Sequence, residues 1–211
     1  MTIFIPILIV TAAAVGVGLL LVRPWRHPLA PVTAVALSGL TSVWAALTFA
    51  EAQVALAWLA TLVVALVLRL SPERAPSSSG AIGPFRLLGR VAVTGSTDPT
   101  PVAWRDRVFQ AVLSAVLVGS AGLLADRATA LGTSPDLALT WAALIWFMGG
   151  LVSAVLATGS EWRTAAYHTT LNGLAIGLIL VDRDWGRALA IGIVHVIVAI
   201  SGVVAAEASS T

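Results

Sequence analysis

The stretch 137–157 reads LALTWAALIWFMGGLVSAVLA, twenty-one residues without a single charge. A helix needs about 20 apolar residues to cross roughly 30 Å of hydrocarbon. The stretch is therefore read as a membrane-spanning helix, and the rest of the chain repeats its character. Of the 211 residues, 58% are hydrophobic and only 10% are charged. Soluble globular chains carry about 25% charged residues, so this one cannot cover a water-facing surface. That excludes a cytosolic globular enzyme. Cysteine is absent, which removes thiol redox chemistry, iron–sulfur ligation and Cys-type zinc sites. All twelve basic residues are arginines, and the net charge is only +2. With no basic stripe to neutralise phosphates, nothing suggests nucleic-acid binding.

Outward from 137–157, six further apolar segments have spanning character: Thr2–Val22, Pro31–Ala50, Gln53–Leu70, Val108–Leu124, Thr164–Val181 and Ala188–Ala206. The expected fold is an all-α polytopic bundle of about seven transmembrane helices. It forms one membrane domain over 1–211: a three-helix part at 1–70, a loop at 71–107 and a four-helix part at 108–211. Span 1 has no basic segment before it and no A-x-A site after it, so it reads as a retained helix.

Arginine placement sets the expected orientation. Arg23 and Arg26 follow span 1, and Arg69, Arg74, Arg86, Arg90, Arg105 and Arg107 lie at or after the end of span 3. Arg163 follows span 5, whereas the opposite side carries only Arg127, Arg183 and Arg187. The positive-inside rule then puts the N-terminus outside and the 71–107 loop in the cytoplasm. Within that loop, residues 72–80 are rich in Pro, Ser and Gly, and 84–91 (PFRLLGRV) mix apolar residues with arginine. The latter segment reads either as an interfacial stretch resting on lipid or as a docking site for a cytoplasmic partner.

Ionisable groups inside a membrane are costly and mark functional sites by default. No acidic residue falls within the core of any span. His168 and Asn172 lie four apart on one face of span 6, with Thr164 extending the stripe, and His195 lies within span 7. Asn172 is about 12 Å in from the start of span 6 and His195 about 10 Å in from the start of span 7. The two then come within about 5 Å of one depth, near the midplane. A proton relay through His195, oriented by Asn172, is one reading. A neutral histidine bonded to a neighbouring helix is the other. His168, about 6 Å from the inner edge against about 16 Å for His195, is expected at the cytoplasmic entrance. The same mismatch, with no second His pair, argues against haem ligation. No H-E-x-x-H, aspartate pair or nucleophile motif is present, so neither a catalytic residue, a metal site nor a cofactor is expected. Gly173 and Gly177 form a GxxxG pattern, and Gly149 and Gly150 lie in span 5; small residues let helices approach closely in lipid. Trp44, Trp58, Trp141 and Trp146 fall within spans and read as packing residues.

The run from Leu137 to Glu207 resembles the small membrane subunits of the respiratory complex I superfamily. In length and layout it is most similar to the component-E subunit of the hydrogenase-4 type, related to the K-type subunit of complex I. The resemblance rests on the short loop Gly159-Ser160-Glu161-Trp162-Arg163, on Leu171-Asn172-Gly173 where the family tends to have Glu-Asn-Gly, and on Ile191-Gly192-Ile193-Val194-His195-Val196, where the family carries an intramembrane acid near His195. A second echo, Ser134-Pro135-Asp136-Leu137-Ala138-Leu139-Thr140, is similar to a Pro-Asp-x-Ala-Leu-Thr box in multisubunit cation/proton antiporters. The two echoes assign span 5 to different subunits. The resemblance implies a non-catalytic subunit of a proton- or ion-translocating assembly in the inner (cytoplasmic) membrane, with other membrane subunits and lipid as partners. Its own contribution to oxidoreductase or antiporter activity would be structural, or His195 would stand in for the family's carboxylate. A free-standing small transporter or channel is the alternative.

Overall fold

The computed structural model describes residues 4–21, 29–49, 52–70, 104–132, 136–157, 160–181 and 185–208. These hold seven helices and no strand: α1 (Phe4–Leu21), α2 (Leu29–Phe49), α3 (Ala52–Leu70), α4 (Trp104–Ala130), α5 (Leu137–Leu156), α6 (Ser160–Val181) and α7 (Trp185–Ala208). Five are long and apolar enough to cross a membrane, namely α1, α2, α4 from Val108, α5, and α6 from Trp162. The remaining two, α3 and α7, are apolar over Ala52–Leu66 and Ala190–Ser201. This is the make-up of a multi-pass membrane protein. The 71–103 part of the long loop, with its segment proposed to meet lipid or a partner, lies outside the described residues, as does the turn at 182–184.

The helix ends follow local chemistry. Pro6 and Pro31 sit in the first turns of α1 and α2, where the missing N–H has no intrahelical acceptor to lose. Asp136 caps α5: its side chain accepts from the Leu139 amide at 2.9 Å, from an extended backbone with φ −138°. Gly132 has φ +70° just beyond α4, a conformation only glycine adopts without strain. Three helices, α4, α6 and α7, extend past the apolar counts by three residues or more. α6 begins at Ser160 rather than Thr164, and α7 begins at Trp185 rather than Ala188. α4 runs on through Asp126 and Arg127, both exposed. Polar residues at a helix end lower local hydropathy without breaking the backbone ladder.

The helices form two rows. One row is α1–α2–α3, with neighbours touching; the other is α4–α5–α6–α7. The rows stack in register, α1 on α5, α2 on α6 and α3 on α7, while α4 flanks the α5 end and touches α1. α6 therefore sits between α5 and α7 and beneath α2.

Packing is small inside and large outside. Ala13, Ala34, Ala45, Ala121, Ala142 and Ala165 are all fully buried. Phe4, Leu8, Leu123, Val155 and Val181 are each at least 68% exposed. Water would penalise such a surface, whereas acyl chains are as apolar as these side chains, and close packing supplies the cohesion between helices. Glycines mark the tightest approaches. A Cβ on Gly173 would meet the Ala143 carbonyl at 2.7 Å and Phe147 Cα at 2.9 Å, so α6 lies backbone to backbone on α5. A Cβ on Gly150 would meet the Thr170 amide nitrogen at 2.6 Å in the same contact. Gly149 takes Val17 of α1, and Gly16 of α1 takes the ring of the fully buried Trp146. Gly177 behaves differently: a Cβ there would meet nothing within 4 Å. Among the described residues, only the first glycine of the GxxxG pattern is a contact point. Trp58 and Trp146 pack inside as expected, but Trp44 is 42% exposed, because α2 turns that face away from α6.

Candidate functional site

The polar interior is where α2, α3, α6 and α7 meet. His168 on α6 and His195 on α7 are both buried, at 1% and 7% exposure. Their Nδ1 atoms face each other at 2.9 Å, and the rings are parallel within 9° with centroids 5.2 Å apart. A hydrogen bond of that length needs one donor and one acceptor. One ring therefore carries hydrogen on Nδ1, and the other presents a bare Nδ1.

This pairing corrects the expectation from the sequence, which set His195 level with Asn172 and left His168 about one turn or more away at the cytoplasmic entrance. The error lay in the helix starts. His168 is eight residues past Ser160, or about 12 Å along α6. Measured from Thr164 the same residue is only about 6 Å in. The depth mismatch once set against paired ligation is therefore gone. A different feature now bears on it: nitrogens on opposite sides of one metal ion stand about 4 Å apart. At 2.9 Å this is a hydrogen-bonded pair.

Asn172, one turn on from His168, reaches α2 instead. Its Nδ2 donates to Ser38 Oγ at 2.8 Å, and Ser38 Oγ donates onward to the Val35 carbonyl at 3.1 Å. Ser42 Oγ lies 3.0 Å from the Ser38 carbonyl and 3.3 Å from the Asn172 carbonyl, sharing its hydrogen between them. The rotation of α6 thus splits its polar stripe: the imidazole goes to α7 and the amide to α2. Thr164 of the expected stripe is half-buried.

The His pair and Asn172 line one cavity of about 10 Å³, together with Ser42, Thr61 and Trp58. That volume is at the lower limit for one water molecule. Thr61 of α3 donates its hydroxyl hydrogen to the Trp58 carbonyl at 2.9 Å. Gly39 admits Leu62 of α3 against α2, and a Cβ on Gly192 would meet the Thr61 methyl group at 3.5 Å across the α3–α7 contact, an ordinary van der Waals distance. Among the described residues, no group of three His, Cys, Asp or Glu side chains comes together as a metal site would require.

Sequence reading found His168, Asn172 and His195 but missed Ser38, Ser42 and Thr61. A signal was present: Ser38 and Ser42 are four apart and so share a helix face, as His168 and Asn172 do. Compared with protein-family models, curated proteins and solved structures, the chain matches none.

Proposed function

We propose that this chain is a non-catalytic membrane subunit of a proton- or ion-translocating assembly, of the complex I-like, hydrogenase-like or antiporter-like kind. It would cross the cytoplasmic membrane seven times with its N-terminus outside. The observation that supports this reading is the polar cluster of His168, His195, Asn172 and Ser38, enclosed where four helices meet. Hydrogen-bonding groups in mid-bundle are costly unless paired, and in membrane proteins they mark ion and proton pathways. Three of its four residues lie on α6 and α7, the helices on which the resemblance implies a polar axis. His195 and His168 take the titratable role, and Asn172 ties that axis to α2.

A free-standing transporter or channel needs a water-filled passage. The cavity at this site holds only about 10 Å³, which favours a part that scaffolds and relays over one that carries solutes alone. Other membrane subunits and lipid would cover the large exposed side chains of α4 and α5, and the 71–107 loop would offer a segment to a cytoplasmic partner.

The test is reconstitution of the purified chain alone into liposomes containing a pH-sensitive dye. The chain alone should pass no protons above protein-free controls. Rapid flux from the isolated chain would sink the subunit reading in favour of the transporter.

A further inference from the structure

We infer that the groove between the first two turns of α1 and α5 binds a membrane phospholipid with a primary-ammonium headgroup, the ammonium on Asp136 and the chains against Ile7, Val10 and Trp141. The site lies apart from the His168–His195 cluster. It rests on the membrane-spanning character of the chain and not on the subunit reading.

The groove follows from how the two helices meet. α1 and α5 run side by side in one direction, since Pro6 and Val10 share a cavity with Leu137 and Trp141 while Val17 meets Gly149. Their tight contact lies where Gly16 takes the Trp146 ring and Gly149 takes Val17. Nearer their starts neither helix has a glycine, and a groove of about 580 Å³ remains between them. Sites for small molecules measure about 300–1,000 Å³. Ile7 and Leu137 in its lining are 59% and 45% exposed.

The lining changes character with depth, and that change selects the occupant. Asp136 immediately precedes the uncharged run 137–157, which puts it at headgroup level. Trp141 is five residues, or about 7.5 Å, deeper. The side chains between are apolar apart from the Thr11 hydroxyl, and the Trp141 N–H is already given to the Val118 carbonyl. A carboxylate above an apolar wall complements an amphiphile with a cation at its head. One Asp136 oxygen accepts from the Leu139 amide at 2.9 Å, and a carboxylate has a second oxygen that can accept from an ammonium. A primary ammonium donates three hydrogens to such a group, whereas the quaternary ammonium of choline donates none. A purely anionic headgroup is repelled. The Thr11 hydroxyl can donate to an ester carbonyl of the glycerol backbone. A partner helix fits less well: it is about 10–12 Å across, and the groove runs only about 7.5 Å along α1 and α5 before their contact closes.

The full chain is reconstituted in nanodiscs of mixed phosphatidylethanolamine, phosphatidylcholine and phosphatidylglycerol. Each lipid in turn carries a photoreactive acyl chain, and the crosslinked peptides are mapped. The ethanolamine lipid should label residues 4–11 and 136–141 about threefold more than either other lipid, as an exposed ion pair supports. Asp136→Asn keeps an acceptor for the α5 cap, removes the charge, and should erase that preference. Ile7→Trp fills the groove and should abolish labelling there. Equal labelling by all three lipids, a preference for the glycerol headgroup, a preference unchanged in Asp136→Asn, or labelling that persists in Ile7→Trp would overturn the site. A benzoylphenylalanine in place of Ile7, irradiated in the native membrane, then reads the occupant directly. The mass of an ethanolamine phospholipid added to the chain supports the proposal, and a crosslink to a second copy or to another protein overturns it.

Discussion

Asn172 of α6 donates to Ser38 of α2 across 2.8 Å, joining residues 134 positions apart in the chain. Both are buried; loss of Ser38 leaves the Asn172 amide without this acceptor in an apolar interior, whereas Ser38 keeps its bond to the Val35 carbonyl when Asn172 is lost. Asn172→Leu should destabilise the bundle by about 1–3 kcal/mol. A double-mutant cycle with Ser38→Ala should return a smaller coupling, about 0.6 and at most about 1.7 kcal/mol. Unfolding in mixed detergent micelles measures both. Additive single effects would show that the two side chains do not act together.

The α5–α6 contact makes a sharper prediction, because neighbouring glycines should respond differently. Gly173→Ala and Gly150→Ala push a methyl group into backbone atoms of the facing helix and should each cost about 1–3 kcal/mol. Gly177→Ala meets open space and should be neutral or slightly stabilising in thermal unfolding. Equal losses at positions 173 and 177 would contradict the backbone-to-backbone contact.

These glycines also show how far the sequence could be read. The helical class was legible because uncharged runs such as 137–157 have few other stable forms, and the three polar residues that mattered in α6 and α7 were recognisable as misfits in lipid. GxxxG spacing puts Gly173 and Gly177 on one face, but only the crossing point of α6 on α5 decides which of them is used. The His168–His195 pair was hidden for a related reason. Hydropathy trims the polar first turns of α6 and α7, and a few residues of error at about 1.5 Å each moves a side chain by a whole turn. Ser38 and Ser42 went unread because a serine in an apolar helix satisfies itself on its own backbone, and its second partner is visible only in three dimensions.

Trp141 ties α4 to α5 with a polar bond. Its Nε1 donates to the Val118 carbonyl at 2.9 Å, and its ring lies 3.0 Å from a Cβ position on Gly122. Trp141→Phe keeps most of the packing and removes the hydrogen bond. The expected loss is about 0.5–1.5 kcal/mol, concentrated in α4. Hydrogen exchange should quicken along α4 and remain unchanged in α6. Uniform quickening across the bundle would show that the bond does not act locally.

The cap of α5 predicts a similarly local effect. Asp136→Ala removes the acceptor for the Leu139 amide and should cost about 1 kcal/mol. The Leu139 amide should exchange faster, and Asp136→Asn or Asp136→Ser should restore most of its protection. Failure of those two substitutions to rescue would mean that the carboxylate charge, rather than the cap, holds the first turn.

The central claim, that this chain is one part of a larger membrane assembly, is tested most directly by isolating it from its native membrane in mild detergent and weighing the particle. The account predicts a particle several times heavier than the 21.7 kDa chain, containing larger antiporter-like membrane subunits in fixed stoichiometry. A stable particle containing only this chain, active by itself in liposomes, would contradict it.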